Sequence, residues 1–183
     1  MRSIWWVLAV SVLAILATAA CSRRENVSVK ENVEQALKQG GYDNINVDEN
    51  REKGVVTLKG EVKTEDDKAR AAQLVQQAAA GRVVANEIAV RPEGMEGVAK
   101  DIQSNTDDAI ESHWKATVAA NKWENQDINA EVNNGVLTLK GEVDTTAQRS
   151  AVEKAAAAVP GVQQVVNELS VKGQKKPAAK GGS

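Results

Sequence analysis

The hydrophobic positions between residues 29 and 90 change their spacing from one segment to the next. A helical spacing (i, i+4, i+7, i+8) comes first, then two segments of alternation, a second helical stripe and a last alternating segment. The apolar positions of these elements are Val29, Val33, Ala36 and Leu37; Ile45 and Val47; Val56, Leu58 and Val62; Ala71, Leu74, Val75 and Ala78; Val84, Ile88 and Val90. The pattern predicts the order α-β-β-α-β.

The same pattern occurs a second time, 81 residues later. The run Gly54-Val-Val-Thr-Leu-Lys-Gly-Glu-Val62 returns as Gly135-Val-Leu-Thr-Leu-Lys-Gly-Glu-Val143, and Val33 is matched by Trp114. Self-similarity at a fixed period indicates a duplicated structural unit. The predicted fold class is therefore α+β, with two tandem αββαβ domains, each a three-stranded mixed sheet with two helices on one face. The other face of each sheet is more polar, and we expect it to be free for partners.

Glycines and capping residues mark the ends of these elements. Asn134-Gly135 predicts a tight hairpin, whereas the first copy has a longer charged loop from Asp48 to Lys53. On the inward face of the second strand, Gly60 and Gly141 indicate a close backbone approach, which we expect to come from the covering helix. Thr64 and Thr145 begin the second helices in a capping-box pattern. The structural glycines are Gly54, Gly60, Gly135, Gly141 and Gly161.

The first twenty residues differ from the rest of the chain. A basic start at Arg2, an apolar run from Ile4 to Ala17 and small residues before Cys21 are typical of a secretory signal peptide. Cleavage before a cysteine resembles processing at the bacterial lipobox. We therefore predict a signal peptide over 1–20 and a covalent diacylglycerol and N-acyl lipid on Cys21. An uncleaved membrane helix is the alternative, since the apolar run is at the lower edge of spanning length.

The remaining boundaries follow from composition. Residues 21–26 form a lipidated N-terminal linker, 27–90 domain 1, 91–105 a linker that is partly helical near its end, and 106–171 domain 2. Residues 172–183 are rich in Lys, Gly, Ala and Pro, which predicts a disordered basic tail.

Three segments of the second copy resemble the BON domain, the bacterial osmotically-inducible-protein-and-nodulation domain. They are Asn134-Gly-Val-Leu-Thr-Leu-Lys-Gly-Glu-Val143, Val159-Pro-Gly-Val162 and Val165-Val-Asn-Glu-Leu-Ser-Val171. The resemblance covers residues 26–171, and the first copy lacks the Pro-Gly-Val portion. A lipoprotein with two such domains is similar to the dual-BON outer-membrane lipoproteins of Gram-negative bacteria.

This resemblance implies envelope maintenance by binding, with no catalysis. The relatives engage anionic phospholipid through their second domain, and relatives without the lipid are periplasmic osmotic-stress proteins. The resemblance also implies a chain anchored in the outer membrane and facing the periplasm, since Ser22 after the cysteine resembles the sorting signal for that membrane. The expected partners are the membrane, through the anchor, and anionic phospholipid or envelope proteins. The alternative function is protein–protein interaction or a chaperone-like stress role, through the exposed sheet face or edge and without lipid recognition by the domains.

The candidate membrane-contact residues lie on the first helix of domain 2. Trp114 and Trp123 are the tryptophans that remain after processing, and Lys115 and Lys122 flank them. Packing in the core is the favoured interpretation for Trp114, because it matches the inward Val33. Trp123 follows the helix where domain 1 has Tyr42, so it fits either a lid on the core or an interfacial anchor.

Charge and residue types restrict the chemistry. Residues 106–171 carry five basic and ten acidic residues, and residues 27–90 carry nine and eleven. An acidic domain is repelled by anionic headgroups unless its lysines cluster on one surface. The same acidic charge argues against nucleic acid as a partner. His113 has no second histidine or cysteine near it, so we expect no metal site. No nucleophile with a base and no phosphate loop is evident, so we expect no enzyme activity and no cofactor besides the lipid.

Overall fold

The computed structural model describes residues 28–124 and 126–173, which form two α/β domains. The elements of domain 1 are α1 (Lys30–Gln39), β1 (Asn46–Asn50), β2 (Val55–Val62), α2 (Glu65–Ala78) and β3 (Val83–Val90). Those of domain 2 are α3 (Glu96–Ala120), β4 (Asp127–Asn133), β5 (Val136–Val143), α4 (Thr146–Ala157), β6 (Gln164–Asn167) and β7 (Ser170–Val171). The predicted order and the duplication are confirmed.

Each sheet is mixed, as predicted. β1 pairs antiparallel with β2, and β2 pairs parallel with β3, in the order β1-β2-β3. Domain 2 repeats this arrangement, but its last strand is divided, so β6 and β7 both pair parallel with β5. The division falls at Glu168 and Leu169, where the Leu169 N–H is donated to the Asn167 side chain at 3.1 Å.

Two hydrophobic cores lie between the helices and the sheets. In domain 1 the stripe of α1 and α2 packs on β2 and β3, with Val33, Leu37, Leu58 and Ile88 at most 1% exposed. In domain 2 the corresponding positions are filled by Trp114, Leu139 and their neighbours. Both cores contain the alternating positions that the sequence pattern assigns to them.

The inward glycines Gly60 and Gly141 are required by a close backbone approach, but not by the one predicted. A Cβ atom at Gly60 would lie 2.6 Å from the carbonyl oxygen of Asn44, and one at Gly141 would meet the carbonyl oxygen of Asp127. Their φ angles are +148° and +118°. The expectation that the covering helix approaches is therefore wrong, because the chain entering β1 or β4 occupies that space instead.

Turns and caps largely follow the sequence. Asn134 and Gly135 have φ angles of 49° and 78°, and they form the two-residue hairpin between β4 and β5. In domain 1 the loop is shorter than predicted, because β1 continues through Asp48 to Asn50. Both capping threonines act as predicted: the hydroxyl oxygen of Thr64 accepts the Asp67 N–H at 3.1 Å, and Thr145 does the same for Gln148.

The faces of the two sheets that carry no helices pack against each other. Val55 and Ala85 of domain 1 meet Val136 and Val166 of domain 2, and each of the four is at most 2% exposed. The chain thus has four layers: helices, sheet, sheet and helices. The prediction that this face is free for partners is wrong, because alternate apolar residues within the polar pattern bury one face against the other.

The contact between the domains is close to two-fold symmetric. Val55 matches Val136 and Ala85 matches Val166 in the repeat, so equivalent residues meet in one cluster. Polar contacts across the boundary include Asn50 Nδ2 to Glu168 Oε2 (3.1 Å), Lys53 Nζ to Ser170 Oγ (2.6 Å), Asn134 Nδ2 to the Glu87 carbonyl (2.8 Å) and Gln164 Nε2 to the Val84 carbonyl (2.6 Å). We refer to this boundary as the sheet–sheet interface.

Candidate functional site

The first helix of domain 2 is much longer than its counterpart in domain 1. α1 has 10 residues and α3 has 25. The repeat places Lys30 opposite Glu111, yet α3 begins at Glu96. Much of the predicted linker is therefore helix, and residues 96–106, which we call the α3 arm, extend beyond the domain 2 core.

The α3 arm has an exposed apolar stripe. Met95, at its N-cap, is 56% exposed, Val98 is 55% exposed and Ile102 is 61% exposed. Their spacing of three and four residues places them on one side of the helix. The half-buried positions Ala99, Gln103 and Thr106 occupy the side that leads toward Ile110 and the core. We call the exposed stripe of Met95, Val98 and Ile102 the ridge.

Asp107 fixes the direction of the arm where it joins domain 2. Its carboxylate accepts the backbone N–H of Asn134 at 2.8 Å and of Gly135 at 2.9 Å, at the tip of the β4–β5 hairpin. Across the domain boundary, Lys68 of α2 is partly buried near it. Burial lowers the pKa of Lys68, while Glu65 and Asp107 oppose this shift. The base of the arm is thus held by two hydrogen bonds to the β4–β5 turn.

Acidic residues surround the ridge. Between residues 93 and 108 the sequence has five acidic residues and one lysine, Lys100. Glu96 accepts the Gly94 N–H at 2.9 Å in the first turn of α3, and these backbone hydrogen bonds lower its pKa. Glu93 receives a hydrogen bond from Lys63 at 3.0 Å. The ridge is therefore an apolar stripe in a negatively charged surround.

The candidate contact residues of the sequence analysis have different surroundings. Trp114 is 3% exposed within the domain 2 core, as its match with Val33 predicts, so it cannot contact a membrane. Trp123 is partly buried and packs against the same core. Lys115 is exposed and paired with Glu111 at 2.6 Å, and Lys122 is exposed with a φ of 58°. These residues lie beyond the C-terminal side of the arm and do not join the ridge.

Sequence reasoning missed the ridge because the segment was assigned to a linker. The signal was present: Met95, Val98 and Ile102 are separated by three and four residues, as on a helical face. This helical spacing was given less weight than three residues typical of turns, Pro92, Gly94 and Gly97. Helix α3 begins after the first two of these and includes Gly97 in its first turn.

Asn86 and Asn167 have structural roles. Asn86 lies within 3.5 Å of the Lys68 carbonyl, and Asn167 binds the side chains of Arg149 and Glu153. They join the last strand of each domain to its covering helix.

Three predicted features lie outside the described residues: the signal peptide, Cys21 with its lipid, and most of the basic tail. Within residues 28–124 and 126–173, no helix is both long and apolar enough to cross a membrane. In the same part of the chain, no group of three or more His, Cys, Asp or Glu side chains is placed to hold a metal ion.

The family follows from sequence comparison. The BON domain matches residues 26–92 and again residues 106–173, which together are more than half of the chain. The chain belongs to the BON domain family, with two copies of the domain. BON domains occur in envelope proteins and are associated with phospholipid membranes. No curated protein matches the sequence.

Comparison with solved structures gives only distant matches. One is the C-terminal domain of CdsD, the structural protein of the type III secretion system of Chlamydia trachomatis. It is 15% identical with a TM-score of 0.29, and the match covers 77% of this chain and 63% of that one. A second CdsD structure is 13% identical with a TM-score of 0.30, covering 78% and 91%.

Proposed function

We propose that this chain is an envelope lipoprotein that binds phospholipid membranes through the ridge on the α3 arm and helps to maintain the envelope. The observation that carries the proposal is the ridge itself. Its three large apolar side chains are each more than half exposed, although apolar side chains of this size are most often buried. An exposed apolar stripe on a rigid helix, in a family associated with membranes, fits insertion at the headgroup boundary.

The anchor and the ridge have separate tasks in this proposal. An acyl lipid on Cys21, in the outer membrane facing the periplasm, keeps the chain at the bilayer, because each buried methylene contributes about 0.8 kcal/mol. The ridge adds a contact from the folded part of the chain. Fully burying a side chain such as Val98 or Ile102 contributes about 1.5–3 kcal/mol relative to leaving it in water. That contribution orients the domains but does not anchor the protein.

The charges around the ridge favour zwitterionic over anionic lipid. Of the five acidic residues between 93 and 108, Glu93 is paired with Lys63 and Asp107 is bound at the β4–β5 hairpin. The remaining three acids against one lysine repel an anionic surface within a Debye length of about 8 Å. Phosphatidylethanolamine carries an ammonium group that can approach Glu96 and Asp101. This departs from the anionic phospholipid that the family resemblance implies for domain 2.

The alternative function was protein–protein binding through the exposed sheet face. That face is not exposed in the structure. Val55, Ala85, Val136 and Val166 are buried between the sheets. The sheet edges are β1 and β3 in domain 1 and β4 and β6 with β7 in domain 2. The backbone of β3 is partly bound by side chains of domain 2, those of Asn134 and Gln164. Short edge strands with charged residues such as Asp48 and Glu49 disfavour pairing with another strand.

Vesicle flotation of the unlipidated polypeptide from residue 22 tests the proposal. Vesicles of phosphatidylcholine and phosphatidylethanolamine are compared with vesicles in which roughly one third of the lipid is phosphatidylglycerol. The double variant Val98→Asp/Ile102→Asp removes the ridge. Val83→Asp is the matched control, because Val83 is also exposed, at 49%, but lies at the start of β3.

We expect the wild type and Val83→Asp to float with the zwitterionic vesicles, and the ridge variant to remain in the soluble fraction. Equal retention of all three proteins on the vesicles would show that the ridge does not contribute to membrane binding. Retention only on phosphatidylglycerol would keep membrane binding but refute the zwitterionic preference. The anchor is tested separately: Cys21→Ser should release the protein from membranes or block its processing.

A further inference from the structure

Glu87 is a carboxylic acid at the boundary between the two sheets. It lies in β3 on the same face as Ala85 and Ala89, and its side chain is 7% exposed. Its backbone carbonyl accepts a hydrogen bond from Asn134 of domain 2 at 2.8 Å. Among the described residues, no hydrogen bond or ion pair reaches its carboxylate.

The charged groups around Glu87 are already paired with one another. Lys59 of β2 is 3.3 Å from Asp48 of β1, and Lys140 of β5 is 2.6 Å from Glu131 of β4. These two pairs are equivalent in the repeat and face Glu87 from both domains. Glu87 therefore adds a third acid to two lysines that each have a partner.

Glu168, the repeat counterpart of Glu87, has a different environment. Its Oε2 accepts the Asn50 Nδ2 hydrogen bond at 3.1 Å, and its own position is only partly buried. The two-fold symmetry of the sheet–sheet interface is thus broken at this pair. The Glu168 carboxylate accepts a hydrogen bond, whereas that of Glu87, in a residue only 7% exposed, accepts none among the described residues.

We propose that Glu87 makes the sheet–sheet interface proton-sensitive, so that the two domains hold together more tightly at acidic than at alkaline pH. This proton sensitivity of the interface does not depend on the membrane binding proposed for the ridge. Its physical basis is the cost of partly removing an unpaired negative charge from water, which disappears when the carboxyl takes up a proton.

The direction of each pKa assigns the proton to Glu87. Burial raises the pKa of Glu87 above its ordinary value of 4.5, with Glu131 and Asp48 adding to the shift and Lys59 and Lys140 opposing it. By contrast, the hydrogen bond from Lys140 lowers the pKa of Glu131. As the pH falls, Glu87 is therefore protonated before Glu131.

The sign of the pH dependence follows. A carboxyl whose pKa is higher in the folded protein than in the unfolded chain binds its proton more tightly when folded. Its stabilising effect is complete below the unfolded pKa and is lost as the pH rises through the folded pKa. Stability from this group consequently falls between about pH 4.5 and the raised pKa.

Thermal unfolding of Glu87→Gln at about pH 5 and about pH 8 tests the proposal. Glutamine is a permanent neutral analogue, so the variant should melt about 2–4 °C above wild type at the higher pH. The difference should shrink at the lower pH. Glu168→Gln is the matched control: it weakens an existing hydrogen bond and should not raise the melting temperature.

Hydrogen exchange locates the effect at the interface. The Asn86 N–H is donated across the boundary to Gln164 Oε1 at 3.1 Å, so it exchanges when the sheets separate. After correction for intrinsic rates, its protection should rise on acidification in wild type, by up to tenfold for each pH unit between the two pKa values. In Glu87→Gln the rise should be absent. A Glu87→Gln variant that is less stable at both pH values, or an offset that does not vary with pH, would overturn the proposal.

Discussion

The two domains share one scaffold and differ chiefly in their first helix. In domain 1 that helix is short and buries Val33, whereas in domain 2 it buries Trp114 and continues outward as the α3 arm. Sheet order, capping threonines and inward glycines are the same in both. A duplicated fold has thus kept what its backbone requires and has changed at the one helix that reaches past its own core.

Trp114 and Val33 occupy equivalent core positions, so substituting each of them compares the two domain cores directly. Trp114→Ala should cost about 4 kcal/mol in the free energy of unfolding, because a fully packed indole leaves a large cavity. Val33→Ala removes less volume and should cost distinctly less. Urea denaturation of both variants gives the values. A loss below about 1 kcal/mol for Trp114→Ala would mean that the indole is not a core residue.

A smaller loss of stability is expected from a substitution in the sheet–sheet interface. Val166→Asp places an unpaired charge where the side chain is now 0% exposed, and it should cost about 3 kcal/mol. The cost is limited because separation of the domains returns the charge to water. Small-angle scattering should therefore show an increased radius of gyration. An unchanged radius with full stability would contradict the four-layer arrangement.

Substitution of Gly60 and of Gly54 distinguishes a steric clash from backbone strain alone. Gly60→Ala should cost about 2–3 kcal/mol, since its Cβ would crowd the Asn44 carbonyl in addition to the strained φ. Gly54→Ala has a φ of +67° but no atom within 4 Å, so about 1 kcal/mol is expected. Denaturant midpoints measure both. Equal losses would remove the steric explanation for Gly60.

The helix caps should give the smallest effect and the closest agreement between domains. Thr64→Ala and Thr145→Ala each remove one hydrogen bond to a backbone N–H of the first turn and should cost about 1 kcal/mol. A pair of melting curves suffices to compare them. A loss in one domain only would indicate that the duplicated capping is not equivalent in the two copies.

Much of the fold could be predicted because the signals are local. Alternation at Val56, Leu58 and Val62 fixes a strand face, and the repeat doubles every observation. Asn134-Gly135 specifies its turn directly, since both residues tolerate positive φ. Even the burial of Trp114 follows from its match with Val33.

What could not be predicted depends on contacts between distant segments. Ala85 and Val166 look like ordinary members of a solvent-facing pattern until the two sheets are placed together. Glu87 reads as a surface charge for the same reason. The ridge was obscured by Pro92 and Gly94, which indicate a turn but do not say how soon a helix begins after them. The proposed site was not predicted from the sequence, because Met95, Val98 and Ile102 were assigned to the linker and the predicted contact residues lie toward the other end of α3.

The most direct test of the membrane-binding proposal uses the fact that Cys21 is the only cysteine in the sequence. In the polypeptide from residue 22, a single cysteine at Val98 or at Val83 can carry an environment-sensitive dye, both positions being exposed. On adding zwitterionic vesicles, we predict a blue shift and increased emission from Val98→Cys and no change from Val83→Cys. An unchanged spectrum at both positions, or the same change at both, would contradict membrane contact by the α3 arm.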